Sequence, residues 1–229
     1  MNRRDFLIGS AASVGIPLTG LSRPINSLVA SSGEKSETGG GGGSPLPPEY
    51  QLVEYLRSEG ATQYITLSRY ATLDVEFEII ARIHVQSDGG FVLGASSGGV
   101  RYGGVGYTNY NRIRFVSDSA AVYFGGYYAN TIFTAASKNG VASFEMNGNI
   151  KSQSWVWNSG TREIQLFTCA TSRLDSSIYH CRIWVSGDLK HDLFPCYRKS
   201  DSVAGMYDLA SDTFWTNSGT GAFTIGPDI

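Results

Sequence analysis

Between Leu73 and Gln86 the sequence LDVEFEIIARIHVQ alternates, with Val75, Phe77, Ile79, Ala81, Ile83 and Val85 set against Asp74, Glu76, Glu78, Ile80, Arg82 and His84. A period of two puts each set on its own face of an extended chain, which predicts a long, half-buried strand of an antiparallel sheet. Downstream, Asn139-Gly140 and Asn147-Gly148 supply the residues that two-residue hairpin loops need at positive φ, and predict two successive hairpins. Further strands are expected at ATQYITL, FVLGAS, NRIRFVSD, AAVYFGG, EIQLFTCA, SIYHCRIWV and LKHDLFPCYR, which Gly, Asn, Asp and Ser clusters separate. This spacing predicts an all-β fold, two antiparallel sheets packed face to face. QLVEYLRSE, near residue 51, fits a strand or a single helical turn equally well.

Composition agrees with that pattern. The 229 residues, 41% of them hydrophobic, suffice for one full-sized domain with a buried core. Glycine, at 28 residues, and aromatics, at 12%, favour short strands joined by tight turns. The formal net charge is -2 and no block of like charges occurs, so no nucleic-acid partner is expected.

The first residues have a different character. Arg3 and Arg4 precede Phe6, Leu7 and an apolar run that Gly15, Pro17 and Gly20 interrupt; this is too broken for a membrane-spanning helix of about 20 residues. Asn2-Arg3-Arg4-Asp5-Phe6-Leu7 resembles a twin-arginine export signal, although Ile8 stands where that family often has Lys. The resemblance implies residues 1–30 as a signal peptide, the twin-arginine export machinery as a partner, and a periplasmic, cell-surface or secreted location; the general secretory route is the alternative. Residues 31–48, SSGEKSETGGGGGSPLPP, read as a flexible linker. The jelly-roll body is expected over 49–229.

PLPPEYQLVEYLRSEGATQYITL and CRIWVSGDLKHDLFPCYRKSDSVAGMYDLASDTFWTNSGTGAF resemble the concanavalin A-like, laminin G-like jelly-roll domains of bacterial surface and phage-associated proteins. The resemblance implies a two-sheet sandwich in which the final block folds back beside the first strand. Tyr207, Leu209, Phe214, Trp215 and Phe223 then act as a seal, each buried side chain contributing about 1.5–3 kcal/mol.

Catalytic chemistry finds little purchase. Asp74, Glu76 and Glu78 follow one another at every second residue, and retaining glycosidases use two carboxyl groups about 5–5.5 Å apart. The laminarinase-like hydrolases, which share the jelly roll, carry E-x-D-x-E or E-x-D-x-x-E on one strand. Here the order is D-x-E-x-E, without the flanking Trp, and a solvated strand face is the simpler reading. His84, His180 and His191 stand in unrelated contexts, and nothing ties a Ser or Cys to a base. No cofactor is expected, and no metal site can be named, although some laminin G-like domains bind calcium between loops. Cys169, Cys181 and Cys196 lack the spacing of a zinc site. They read as small buried residues; the alternative is a disulfide between Cys181 and Cys196, where similar domains often carry cysteines.

Binding suits the residues better. Sugars are held by aromatic rings together with amides and hydroxyls, and GYTNYN (106–111), GGYYAN (125–130) and SWVWNSG (154–160) combine aromatics with Asn in expected loops. The candidate ligand-binding residues are Tyr107, Asn109, Tyr110, Tyr127, Tyr128, Trp155, Trp157 and Asn158; the alternative for each aromatic is packing on the sheets. In SIYHCRIWV, Cys181 and Ile183 are expected to face the core, so that Arg182 and Trp184 project outward and line a shallow groove. The expected function is a non-catalytic recognition module for a glycan or a surface protein. The alternatives are a structural or assembly domain that binds a protein partner, and a glycoside hydrolase using residues 74–78.

Overall fold

A computed structural model describes residues 44–60, 62–70, 74–85, 89–97, 100–108, 111–117, 120–158, 163–169 and 172–229. They belong to one compact unit, Gly42–Ile229. The export-signal residues Arg3, Arg4, Phe6 and Leu7 lie outside the described residues.

The described residues form strands and no helix. In chain order they are β1 (Tyr50–Leu52), β2 (Leu56–Glu59), β3 (Ile65–Tyr70), β4 (Val75–Ile83), β5 (Phe91–Ser97) and β6 (Val100–Thr108). Next come β7 (Arg112–Val116), β8 (Ala121–Gly125), β9 (Ile132–Lys138), β10 (Val141–Met146), β11 (Asn149–Ser154), β12 (Glu163–Leu166) and β13 (Thr168–Cys169). The last are β14 (Ser172–Arg173), β15 (Asp175–Val185), β16 (Asp188–Arg198), β17 (Ala204–Asp208), β18 (Thr213–Thr216) and β19 (Thr224–Ile225).

The larger sheet runs β11-β10-β9-β4-β15-β16-β17-β18. β15 and β16 pair only where they form a hairpin, Cys181–Val185 against Asp188–Leu193. Beyond it they part: β2 takes the free edge of β15, while β1 takes that of β16. The chain's last strand, β19, pairs with β2. The smaller sheet runs β3-β12-β5-β6-β7-β8, and every named pairing is antiparallel. The result is a two-sheet β-sandwich whose inner faces share one apolar core.

β4 shows why the pattern works. Val75, Phe77, Ile79, Ala81 and Ile83 are all buried while the residues between them are half-buried. The expected inward position of Val85 is corrected, for this residue is 52% exposed. The ladder stops at Ile83, where the His84 amide turns to the Asp175 carbonyl (2.9 Å) and its ring meets Asn130 (3.0 Å) and Ser177 (2.8 Å). The two Asn-Gly hairpins are present, with positive φ at Asn139 (50°), Gly140 (72°), Asn147 (52°) and Gly148 (76°). QLVEYLRSE forms β1 and β2. Residues 44–48, expected in the linker, are docked on the body: Leu46 is buried, and the Pro48 carbonyl accepts from Lys199 Nζ at 2.8 Å.

β6 carries a second correction, because GYTNYN begins within this strand and not in a loop. Three glycines hide it from a β-propensity reading, yet close approach requires them. A Cβ on Gly106 would stand 2.2 Å from the Gly90 carbonyl oxygen, and one on Gly103 would stand 1.8 Å from the Trp157 ring.

The C-terminal block folds back on the body as expected, although Leu209, Phe214 and Trp215 of the expected seal are only half-buried. Tyr207 and Phe223 are buried, and Tyr50 at the start of β1 packs on Tyr207 (4.7 Å) and Phe214 (4.9 Å). Cys169, Cys181 and Cys196 are buried free thiols, so the alternative of a Cys181–Cys196 disulfide is not met. Burial pushes the Cys196 thiol up to about 12.

Candidate functional site at the turn end of the sandwich

Three connections converge where β4 begins. They are the Asn139-Gly140 turn between β9 and β10, the Ser186-Gly187 turn between β15 and β16, and the segment that follows β11. Each is tied to its neighbour. The Glu76 carboxylate accepts the Asn139 N–H at 2.7 Å, holding the first turn. The Ser186 hydroxyl donates to Asp74 Oδ2, and the Ser186 amide donates to the Asp74 carbonyl at 3.3 Å. The Trp155 amide donates to the Gly140 carbonyl at 2.9 Å. Between these ties lies a cleft of about 240 Å³, lined by Asp74, Glu76, Ser137, Asn139, Ser186 and the segment Trp155-Val156-Trp157.

That segment continues the alternation of a strand without being one. Trp155 and Trp157 are 2% and 1% exposed, whereas Val156 is 47% exposed. Trp157 sets its ring edge-to-face against Phe77 at 5.8 Å, and Trp155 against Phe115 at 5.5 Å. Among the described residues both buried indole N–H groups are without an acceptor, a condition that costs on the order of 1–3 kcal/mol for a buried donor.

The sequence-predicted binding residues divide by place. Tyr107 and Tyr127 meet edge to face at 5.9 Å, at the other end of β4 from the cleft. Both are buried, which corrects their expected role as exposed sugar platforms. Tyr127 plugs the sandwich there: its hydroxyl accepts from the Ile83 amide (2.9 Å) and donates to the Ile83 carbonyl (3.1 Å). Trp155 and Trp157 need the same correction, since their rings belong to the core beside the cleft. Tyr128 is 63% exposed and Asn158 is half-buried. Asn109 and Tyr110 lie outside the described residues.

The three carboxylates of residues 74–78 differ in their contacts. Asp74 and Glu76 line the cleft, while Glu78 lies 3.9 Å from Arg182 on the outer face of the larger sheet. There Arg182 Nε and His180 Nε2 both meet Asp192 Oδ1, at 3.2 and 2.6 Å. Cys181 and Ile183 face the core, as the alternation requires, and Arg182 and Trp184 are half-buried on the opposite face. The expected groove is nonetheless occupied, by this ionic network and by Lys138 Nζ at 5.5 Å from the Trp184 ring centre.

His191 Nδ1 lies 2.6 Å from Asp208 Oδ2, both buried. Burial alone would raise the Asp208 carboxyl, but His191, the Ser211 hydroxyl and the Asp192 amide hold it down at about 2. These contacts tie β16 to β17 beneath Trp215. Among the described residues no group of three or more His, Cys, Asp and Glu side chains is placed to hold a metal ion.

Ser137, Asn139 and Ser186 escaped the sequence reading as site residues. The positive-φ Asn-Gly signal located one turn, but nothing local shows that two hairpins from distant parts of the chain end side by side.

No family model matches the chain, and no curated protein matches it. Solved structures do. A candidate carbohydrate-binding protein of Bacteroides ovatus, 12% identical, superposes with a TM-score of 0.51 over 80% of this chain and 61% of its own. The chain thus spans about three fifths of that protein's length. The native heptameric SAP-like pentraxin of Limulus polyphemus, 6% identical, covers 78% of this chain and 94% of its own at a TM-score of 0.41. The chain has the antiparallel jelly-roll sandwich architecture.

Proposed function

We propose that this chain is an exported, non-catalytic recognition module that holds the end of a glycan in the cleft between the Asn139-Gly140 and Ser186-Gly187 turns. The observation that carries the reading is the cleft's make-up: carboxylate, amide and hydroxyl groups line a depression together with Val75, the exposed Val156 and the segment that carries the two core tryptophans. Sugar sites use such a mixture, polar groups reading hydroxyls over an apolar surface. At about 240 Å³ the cleft is below the roughly 300–1,000 Å³ of sites that enclose whole ligands, so a chain end fits it better than an enclosed oligosaccharide. The fold shared with a candidate carbohydrate-binding protein supports the reading. Export rests on Arg3, Arg4, Phe6 and Leu7. Asp74 and Glu76 serve as turn ties and hydrogen-bond acceptors in this reading, not as an acid–nucleophile pair.

A glycan array probed with the full chain tests it. Saturable binding is expected, and Val156→Arg, which fills the cleft from its exposed rim, should weaken it at least about tenfold, equivalent to about 1.4 kcal/mol. Tyr128→Ala, at the opposite end of β4, should leave it unchanged. The reverse result, loss with Tyr128→Ala and retention with Val156→Arg, would move the site to that other end.

A further inference from the structure

The two turns at the cleft are carried by the strands that flank β4, Asn139-Gly140 by β9 and Ser186-Gly187 by β15. Their backbone support differs. The β4–β15 ladder continues to Val75 and Val185, next to the Ser186 turn, whereas the β4–β9 ladder ends at Phe77 and Ser137. Lys138 and the Asn139 turn therefore stand beyond the last pair, and Asn139 holds a positive φ of 50°, which non-glycine residues adopt uncommonly. On the outer face a side-chain contact spans β4. The register sets Trp184 opposite Glu76 on one flank and Lys138, the residue after Ser137, beside Glu76 on the other. From there Lys138 reaches across to bring Nζ to 5.5 Å from the Trp184 ring centre, bridging two strands that lie about 9.6 Å apart. Neither residue lines the cleft, yet Lys138 directly precedes Asn139 and Trp184 stands two residues before Ser186.

Resting on the glycan reading above, we infer that Lys138 and Trp184 are positioning residues for the cleft. Trp184 is the anchor, fixed in the β4–β15 ladder. Lys138 is the hook that holds the Asn139-Gly140 turn towards the Ser186-Gly187 turn and so sets the width that a sugar meets. The ring quadrupole attracts the cation, so the charge of Lys138 acts and its methylene stem alone does not replace it. Arginine, which also stacks on aromatic faces, can stand in for it.

Amide hydrogen exchange, followed by NMR on the labelled full chain, tests the bridge without a ligand. Lys138→Met keeps the stem and removes the charge. It should speed exchange of the Asn139 amide, which donates to Glu76, about two- to fivefold, the size of an exposed cation–π pair. The Ile83 amide, which donates to Tyr127 at the other end of β4, should exchange as before. Affinity for the oligosaccharide held most tightly on the glycan array should fall by a similar factor, and Lys138→Arg should restore both readings. Trp184→Leu should reproduce the exchange effect, and the double variant should be no worse than either alone, as for two members of one interaction. Lys138 is exposed, so its variants decide the matter even if Trp184→Leu melts early. An Asn139 amide that exchanges at the same rate in Lys138→Met, or failure of Lys138→Arg to rescue, would overturn the inference. Faster exchange with unaltered affinity would overturn the positioning role and leave the glycan reading standing. Absence of saturable binding by every oligosaccharide would overturn the glycan reading and the positioning role with it, while the exchange rates still decide whether the bridge holds the turn.

Discussion

Gly103 has no side chain because Trp157 occupies the space where one would stand. Gly103→Ala is therefore expected to lower unfolding free energy by about 1–3 kcal/mol, the range for overpacking a well-filled core. Gly148→Ala, whose Cβ meets nothing within 4 Å, should cost only about 1 kcal/mol, from its positive φ; urea titrations of both variants decide this. Asp208 makes a pH prediction. Its folded pKa of about 2 lies below the ordinary carboxylate value, so the associated stability is full above about pH 4 and drains away as pH falls towards 2. The amount is on the order of 2 kcal/mol. Asp208→Asn should flatten that acid limb of a thermal-melting profile and lower the melting temperature at neutral pH. A limb as steep as in the unaltered chain would assign the acid sensitivity to other carboxylates. The misplacement of Tyr107, Tyr127, Trp155 and Trp157 arose at this scale: aromatics beside Asn and Gly look solvent-facing locally. Their burial depends on partners such as Gly103, Phe115 and Ile83, far along the chain.

Among elements, β4 was legible because nine residues keep a strict two-residue period with one face fully buried. The Asn-Gly hairpins were legible because few residues tolerate their φ values. β6 was not, for its glycines lower strand propensity while serving close backbone approach. The splaying of β15 from β16, which admits β1 and β2, has no local signal either, since it depends on segments more than a hundred residues away. That arrangement makes the C-terminal strand a clasp: β19 pairs with β2, Phe223 packs on Phe167 at 5.2 Å, and the Glu54 amide donates to the Pro227 carbonyl at 2.8 Å. Truncation after Thr220 should therefore cost about 3–5 kcal/mol, on the scale of removing one large buried aromatic with its contacts. Thermal melting checks it, and an unchanged transition would show that the sandwich closes without β19.

For the body as a whole, the two ends of β4 are built for different purposes. At one end Tyr127 is locked into the backbone of Ile83; at the other, two turns and a pair of tryptophans leave a polar cleft. The all-β sandwich could be read from alternation and turn residues, but the cleft could not, because it exists only once separate hairpins are brought together. The central claim, that this cleft receives a glycan, has a direct readout in the chain's four tryptophans, whose indole N–H groups give separate signals in a proton–nitrogen NMR spectrum. Titrating the labelled full chain with the best-binding oligosaccharide should shift the Trp155 and Trp157 indole signals and leave that of Trp215, packed near His191, in place. Saturable binding that leaves the Trp155 and Trp157 signals unmoved would contradict the account.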